Sequence, residues 1–214
     1  MPVKHPRSAG VFLCYNYFME KDYLIGIDEV GRGCLAGPIC AVAVLVKNTA
    51  EENELLKEVK DSKKLSAKKR EEIFDTLQDK FIWAQAEIDN QEIDKIGIQL
   101  ANCLVVNRAL ENLLKKINNF SGRIVADHVG AFQNYVDNKK IEFFTKGETK
   151  FLSIALASCF AKVYRDRLMT RQDDIYPEYN FAKHKGYGSA EHIKAIAKYG
   201  ASPIHRQSFL KKYI

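Results

Sequence analysis

Apolar residues along this chain fall in short blocks separated by charged stretches, and their period changes from block to block. Residues 23–27 are apolar and run into Asp28-Glu29-Val30 and then Gly31-Arg32-Gly33. That pattern predicts a buried strand entering a glycine-rich turn. Residues 38–46 (PICAVAVLV) predict a second strand, placed to pair with the first as a hairpin. Residues 51–80 are charged with a helical period, interrupted by a loop at Asp61-Ser62, after which Ser66 is the expected N-cap of a new helix. Residues 81–88 read as a strand with Trp83 in the core. Residues 98–117 read as an amphipathic helix, through Leu100, Leu104, Val105, Ala109, Leu113 and Ile117. Short strands follow at 123–126 and 141–144. Residues 151–163 (FLSIALASCFAKV) are apolar or small nearly all round, which predicts a helix buried at the centre of the domain. Beyond Tyr176 the pattern is loop, then a helix at 190–199, in which His192 is expected to be an ordinary exposed residue. Strands first, then strands mixed with helices, predict an α/β fold: a mixed sheet with helices on its faces.

Three acidic positions share one placement. Asp28-Glu29, Asp127 and Glu148 each follow an apolar strand at its expected C-terminal end, where α/β sheets gather ligands. Carboxylates brought together there need a compensating cation, and hard oxygen ligands select Mg²⁺ or Mn²⁺. A single Asp at a strand end is ordinarily a turn or capping residue; spacing alone leaves both readings open. Asp28 and Glu29 are adjacent, and neighbours in a strand point to opposite faces. Either the chain turns there, or Glu29 contributes its backbone carbonyl instead of its carboxylate.

Length and composition narrow the class. The 214 residues fit one α/β domain, with about 1–20 as an N-terminal extension and 176–214 as a C-terminal segment. The five cysteines are odd in number and show no CxxC spacing, which argues against a disulfide framework or structural zinc and for a reducing cytoplasm. No apolar run is long enough to span a bilayer. The net charge of +6 is compatible with simple solubility or with a polyanionic partner.

The motifs then become specific. Gly26-Ile27-Asp28-Glu29-Val30-Gly31-Arg32-Gly33 resembles the opening signature of the ribonuclease HII family. The likeness continues through Leu35-Ala36-Gly37-Pro38, Asp61-Ser62-Lys63-Lys64-Leu65-Ser66, Asn107-Arg108-Ala109-Leu110 and Lys146-Gly147. It resumes at Ser153, Ala157-Ser158 and Ala161-Lys162-Val163-Tyr164-Arg165-Asp166. It closes with Tyr176-Pro177, His184-Lys185-Gly186-Tyr187-Gly188, His205-Arg206 and Ser208-Phe209. So many motifs in order carry far more weight than one.

This resemblance implies an RNase H-like fold and an endonuclease that hydrolyses the RNA strand of RNA–DNA hybrids, including at single ribonucleotides embedded in duplex DNA. It implies two divalent ions, Mn²⁺ or Mg²⁺, held by Asp28, Glu29, Asp127 and Glu148, and products with 5′-phosphate and 3′-hydroxyl ends. The family usually has Asp where this chain has Glu148, and Gly where it has His128. His128 is then a surface turn residue or an imidazole beside the metals. Gly31, Arg32 and Gly33 are expected to read the 2′-hydroxyl through backbone groups, and Tyr187 to stack at the RNA-to-DNA junction. Ser62, Lys63, Lys64, Lys68, Lys69 and Arg70 are candidate phosphate contacts, although a solvated helix face explains the basic ones and capping explains Ser62; His184, Lys185, His205 and Arg206 form a second basic group. Lys162 and Arg165 either face the site or pair with an acid such as Asp166. A monomer acting on hybrid or ribonucleotide-containing duplex is expected, with no membrane association. Competing readings are a ribonuclease HIII-like nuclease, a catalytically weak hybrid-binding protein, and a small-molecule phosphohydrolase.

Overall fold

The computed structural model describes residues 23–59, 65–117, 119–127, 135–136 and 139–213. Strand β1 (Tyr23–Val30) pairs antiparallel with β2 (Ile39–Lys47), and β2 pairs antiparallel with β3 (Ile82–Ile88). On its other side β1 runs parallel to β4 (Arg123–Asp127), β4 parallel to β6 (Lys139–Phe144), and the short β5 (Tyr135–Val136) closes the edge antiparallel to β6. The order is β3-β2-β1-β4-β6-β5. The expected hairpin is β1–β2. Strand β2 is buried over eight of its nine residues because helices cover both faces of the sheet.

Alternation along β2 separates those faces. Ile39, Ala41, Ala43 and Leu45 join one core, with α3 (Asn90–Ile96) and α4 (Ile98–Leu114). Val42, Val44 and Val46 join the other, with α2 (Ala67–Leu77) and α5 (Leu152–Ile175). A short helix, α1 (Ala50–Leu55), precedes α2. Ser66 caps α2 by accepting from the Lys69 N–H, as the sequence suggests. Trp83 packs edge-on against Phe74 and Phe160, which is a core role. The close approach of α5 to β1 depends on Gly26: a Cβ there would lie 2.2 Å from the Ser153 carbonyl carbon.

Helix α5 runs twelve residues past the expected end at Val163. There its character changes from buried all round to one-sided, with Arg165 and Met169 inward, one helical turn apart. Those residues meet a third core formed by Leu35, Ala36, Tyr179, Phe181, Ile196 and Leu210. This core belongs to the C-terminal part, which contains α6 (Phe181–His184), α7 (Ala190–Tyr199) and α8 (Gln207–Leu210). Asp94 of α3 anchors its end by accepting from the Gln207 and Ser208 N–H groups. No helix among the described residues is long and apolar enough to cross a membrane.

His192 is not the exposed residue its helical setting suggests. It and His205 are fully buried, with Nε2 atoms 2.9 Å apart. Burial lowers both rings from 6.5 to about 4.

Two predictions follow from this packing. Gly26→Ala forces α5 off the sheet and is expected to cost several kcal/mol in urea unfolding; a change under about 0.5 kcal/mol contradicts the close approach. Between pH 6.5 and about 4 the unfolded chain binds histidine protons that the folded chain refuses. The contribution of these rings is therefore complete above pH 6.5 and lost as pH falls toward 4, by up to about 3 kcal/mol per histidine. Urea midpoints at pH 7 and pH 5 test this: the midpoint falls at pH 5, and falls less in His192→Leu.

Candidate active site

Strand register assembles the acidic site. Asp28 and Glu29 lie within β1, opposite Val42 and Ala41 of β2, and not in the turn beyond the strand. Cross-strand partners share a face, so Asp28 points to the α5 side with Val42, and Glu29 to the α4 side with Ala41. The parallel pairing of β1 with β4 runs through Ile27 and Ala126, which places Asp28 and Asp127 one step further on, side by side on the α5 face. Both line a cleft of about 530 Å³, together with Glu29. Burial pushes the Asp28 carboxyl well above the ordinary carboxylate range, and the Glu29 and Asp127 charges push it further, against an opposing hydrogen bond from Ser158. Ser158 is on α5, and the Glu29 N–H also donates to Asp28 Oδ1 at 2.9 Å.

Glu148 is buried in the 3₁₀ turn Gly147–Thr149 and does not line the cleft. It is tied to the acidic cluster through its neighbour, since the Gly147 N–H donates to Asp127 Oδ1 at 2.9 Å. Lys146, in the left-handed region at φ 56°, sets that turn. Among the described residues no three His, Cys, Asp or Glu side chains converge into a ready-made metal cage. An all-oxygen set of this kind suits Mg²⁺ or Mn²⁺, which commonly take one or two carboxylates and complete their shell with water and substrate phosphate. The strained protonation of Asp28 marks the same place as the one a cation would relieve.

The same cleft is walled by the turn Gly31-Arg32-Gly33 and by Tyr187. Two arginines hold this wall from behind, and both are fully buried. Arg206 donates to the carbonyls of Gly31, Arg32 and Gly37 at 2.8, 2.9 and 3.0 Å. Arg165 donates to those of Pro38, Lys185 and Ala36 at 2.9, 2.8 and 3.1 Å. Gly31 is required here, because it sits at φ +91° and a Cβ would meet Arg165 Nε at 2.2 Å. Gly33 is different: a Cβ there meets nothing within 4 Å, so its open face looks onto the cleft. Burial lowers the Arg206 guanidinium to about 10, still charged at neutral pH.

Lys162 lines the cleft and pairs with Asp166 at 2.7 Å, as the alternative reading has it. Arg165 instead spends its donors on backbone carbonyls and lies behind the wall. Tyr187 is 40% exposed, with Lys162 and Arg165 5.7 and 5.9 Å from its ring centroid. Arg70 lines the cleft from α2, whereas Lys69 is drawn away to Glu58 at 2.8 Å. Ser62, Lys63, Lys64 and His128 lie outside the described residues. Ser158 has no assigned role in the sequence reading, and Arg206, expected with His184, Lys185 and His205 to form a basic group for phosphates, is instead buried on backbone carbonyls. Both stand inside motifs already singled out, Ala157-Ser158 and His205-Arg206, but only the fold aims them at Asp28 and at the turn.

The family model for "Ribonuclease HII" matches residues 25–212. The chain belongs to the ribonuclease HII family. It is 44% identical over 201 residues to the ribonuclease HII of Fusobacterium nucleatum, covering 94% of this chain and 91% of that protein. It is 42% identical over 215 residues to that of Clostridium acetobutylicum, covering 99% and 82%. Among solved structures, the ribonuclease H2 of Pyrococcus horikoshii superposes with a TM-score of 0.71 at 23% identity, covering 89% of this chain and 96% of that one. Bst-RNase HIII in complex with Mn²⁺ gives 0.66 at 20% identity, covering 84% and 63%. The fold is thus RNase H-like, and as a member of the ribonuclease HII family this chain is a metal-dependent endoribonuclease.

Loss of the Arg206 guanidinium leaves three buried carbonyls unpaired. Arg206→Met is expected to lower stability by roughly 3–5 kcal/mol in urea unfolding. A cost under about 1 kcal/mol means the turn does not depend on this clamp.

Proposed function

We propose that this chain hydrolyses the RNA strand of RNA–DNA hybrids and incises duplex DNA on the 5′ side of a single embedded ribonucleotide, leaving 5′-phosphate and 3′-hydroxyl ends. The observation that carries the reading is the shared cleft, in which paired aspartates face a turn whose carbonyls are turned inward. In a trans peptide the N–H points opposite to the preceding carbonyl. With the Gly31 and Arg32 carbonyls taken by Arg206, the Arg32 and Gly33 N–H groups face the cleft. They are donors suited to a ribose 2′-hydroxyl, the group that distinguishes RNA from DNA, and the open face of Gly33 admits the sugar. Tyr187 supplies the apolar surface against which the sugar at the junction rests.

Asp28, Asp127 and Glu148, with the carbonyl of Glu29, would hold two divalent cations, Mn²⁺ or Mg²⁺, which when bound supply an activated water and neutralise charge on the scissile phosphate. Asp28 would be the central ligand, with Asp127 toward the leaving group and Glu148 toward the attacking water. Ser158 and the Glu29 N–H keep the Asp28 carboxylate in one orientation. Arg70 and Lys162 flank the acids from α2 and α5 and position the phosphate backbone without reading bases.

Cleavage of three duplexes tests this: one with a lone ribonucleotide, one full hybrid and one all-DNA, each in Mg²⁺ and in Mn²⁺. The expected result is a cut 5′ to the lone ribonucleotide and within the hybrid, none in DNA, and a loss of about 10³-fold or more in Asp28→Asn. Cutting of long hybrids alone moves the assignment to a ribonuclease HIII-like activity. Binding without cutting in either metal identifies a hybrid-binding protein.

A further inference from the structure

The C-terminal histidines form a chain of hydrogen bonds in which each proton has one possible place. The Ser202 N–H donates to His205 Nδ1 at 2.8 Å, and the Ser202 hydroxyl lies 2.7 Å from the same nitrogen. An N–H can only donate, so His205 Nδ1 is bare and the ring carries its proton on Nε2. That proton is directed at His192 Nε2, 2.9 Å away, which must accept it. His192 therefore carries its own proton on Nδ1 and donates to the Tyr187 carbonyl at 2.9 Å. His184 stacks on His192 with centroids 4.2 Å apart, accepts from the Gly186 N–H at 3.2 Å, and donates from Nε2 to the Tyr179 carbonyl at 2.7 Å.

The two ends of this chain lie at the two halves of the cleft wall. One end is the backbone of Tyr187. At the other, His205 pairs with Ala36 as an isolated bridge and is followed directly by Arg206, which grips the Gly31 and Arg32 carbonyls. The connection thus runs from Tyr187 through two imidazoles and one peptide to the Gly31–Gly33 turn. Other contacts accompany it: Leu35 N–H to the Gly186 carbonyl and Ser189 N–H to the Tyr187 carbonyl, both 2.8 Å, Tyr187 N–H to the His184 carbonyl at 2.9 Å, the Arg165 bond to the Lys185 carbonyl at 2.8 Å, and a side-chain hydrogen bond between Tyr187 and Cys34. The histidine pair adds to these the hydrogen bond that His192 makes to the Tyr187 carbonyl itself from a fully buried ring. Both rings are fully buried and neither lines the cleft, so they do not meet substrate.

We infer that His192 and His205 are positioning residues that hold Tyr187 at a fixed distance from the Gly31–Gly33 turn and so set the discrimination for ribonucleotides. The inference rests on the reading of Tyr187 as the surface for the junction sugar. It separates two substitutions that a purely space-filling role treats alike. His205→Asn keeps an acceptor for the Ser202 N–H but is too short to reach His192. His205→Gln carries an amide N–H to the position of Nε2 and preserves that link.

The test is a double-mutant cycle with Tyr187→Ala, measured as kcat/KM on the hybrid and lone-ribonucleotide duplexes, with melting curves to confirm folding at the assay temperature. His205→Asn is expected to lower kcat/KM about five- to tenfold and to shift the ratio between the two substrates. His205→Gln restores most of it, and in the Tyr187→Ala background His205→Asn costs less than about twofold. If His205→Asn does not fold, His192→Leu fills the same space without either bond and runs through the same cycle. Equal losses in both backgrounds, or no difference between Asn and Gln at position 205, overturn the positioning role. A Tyr187→Ala variant that cuts both substrates as the parent does removes the reading of Tyr187 itself, and the inference with it.

Discussion

The cleft depends on two buried positive charges that have backbone carbonyls as their hydrogen-bond partners. Arg165 and Arg206 place six N–H donors on the carbonyls of Gly31, Arg32, Ala36, Gly37, Pro38 and Lys185. A buried charge is tolerated only when its donors are satisfied, and irregular backbone is tolerated in an interior only when its carbonyls are paired. Each requirement is met by the other. The planar guanidinium, with its fixed fork of donors, can grip carbonyls that point in several directions. Gly31 follows from the same contact, because any side chain there would occupy the space of Arg165. The result is a turn rigid enough to present its N–H groups outward, made from a segment that could not hold its shape alone.

On the opposite side the constraint is strand register. Asp28 and Asp127 share a face because β1 and β4 run parallel with Ile27 beside Ala126. Burial and the neighbouring charges then hold the Asp28 carboxyl well above the ordinary carboxylate range, a penalty that a bound cation would relieve. The fold accepts an electrostatic penalty where its chemistry needs one. Gly26 lets α5 descend onto β1, which is what brings Ser158 to Asp28. The acids and the turn meet in one cleft because both lie at the same end of β1: its last residues carry the aspartate, and the next three form the wall.

Much of this was legible from residue order. The strand that begins at residues 23–27, the hairpin to 38–46, the Ser66 cap and the helix at 190–199 all follow from period and capping chemistry. Helix α3 was missed although its signals stand in the chain: Asp89 caps it by accepting from the Glu92 N–H, and Gly97 ends it. The far half of α5 was missed because its apolar residues thin to one face, and that face is apolar only in relation to the C-terminal core.

By itself the sequence determined the family and the sheet-forming segments and singled out the acids as candidates, because these depend on local period and on motifs that specify residue type. Only the tertiary structure decided where side chains point and what they meet. Glu29 is separated from Asp28 by alternation across a strand that continues further than the apolar block suggests. Arg165 looks like a substrate contact and is a buried clamp, and His192 looks exposed and is buried against His205. In each case the deciding partner is distant in the chain, 174 positions between Arg32 and Arg206, for example. No local pattern encodes a hydrogen bond to a carbonyl, which every residue possesses; its value is set by which backbone the fold brings within reach.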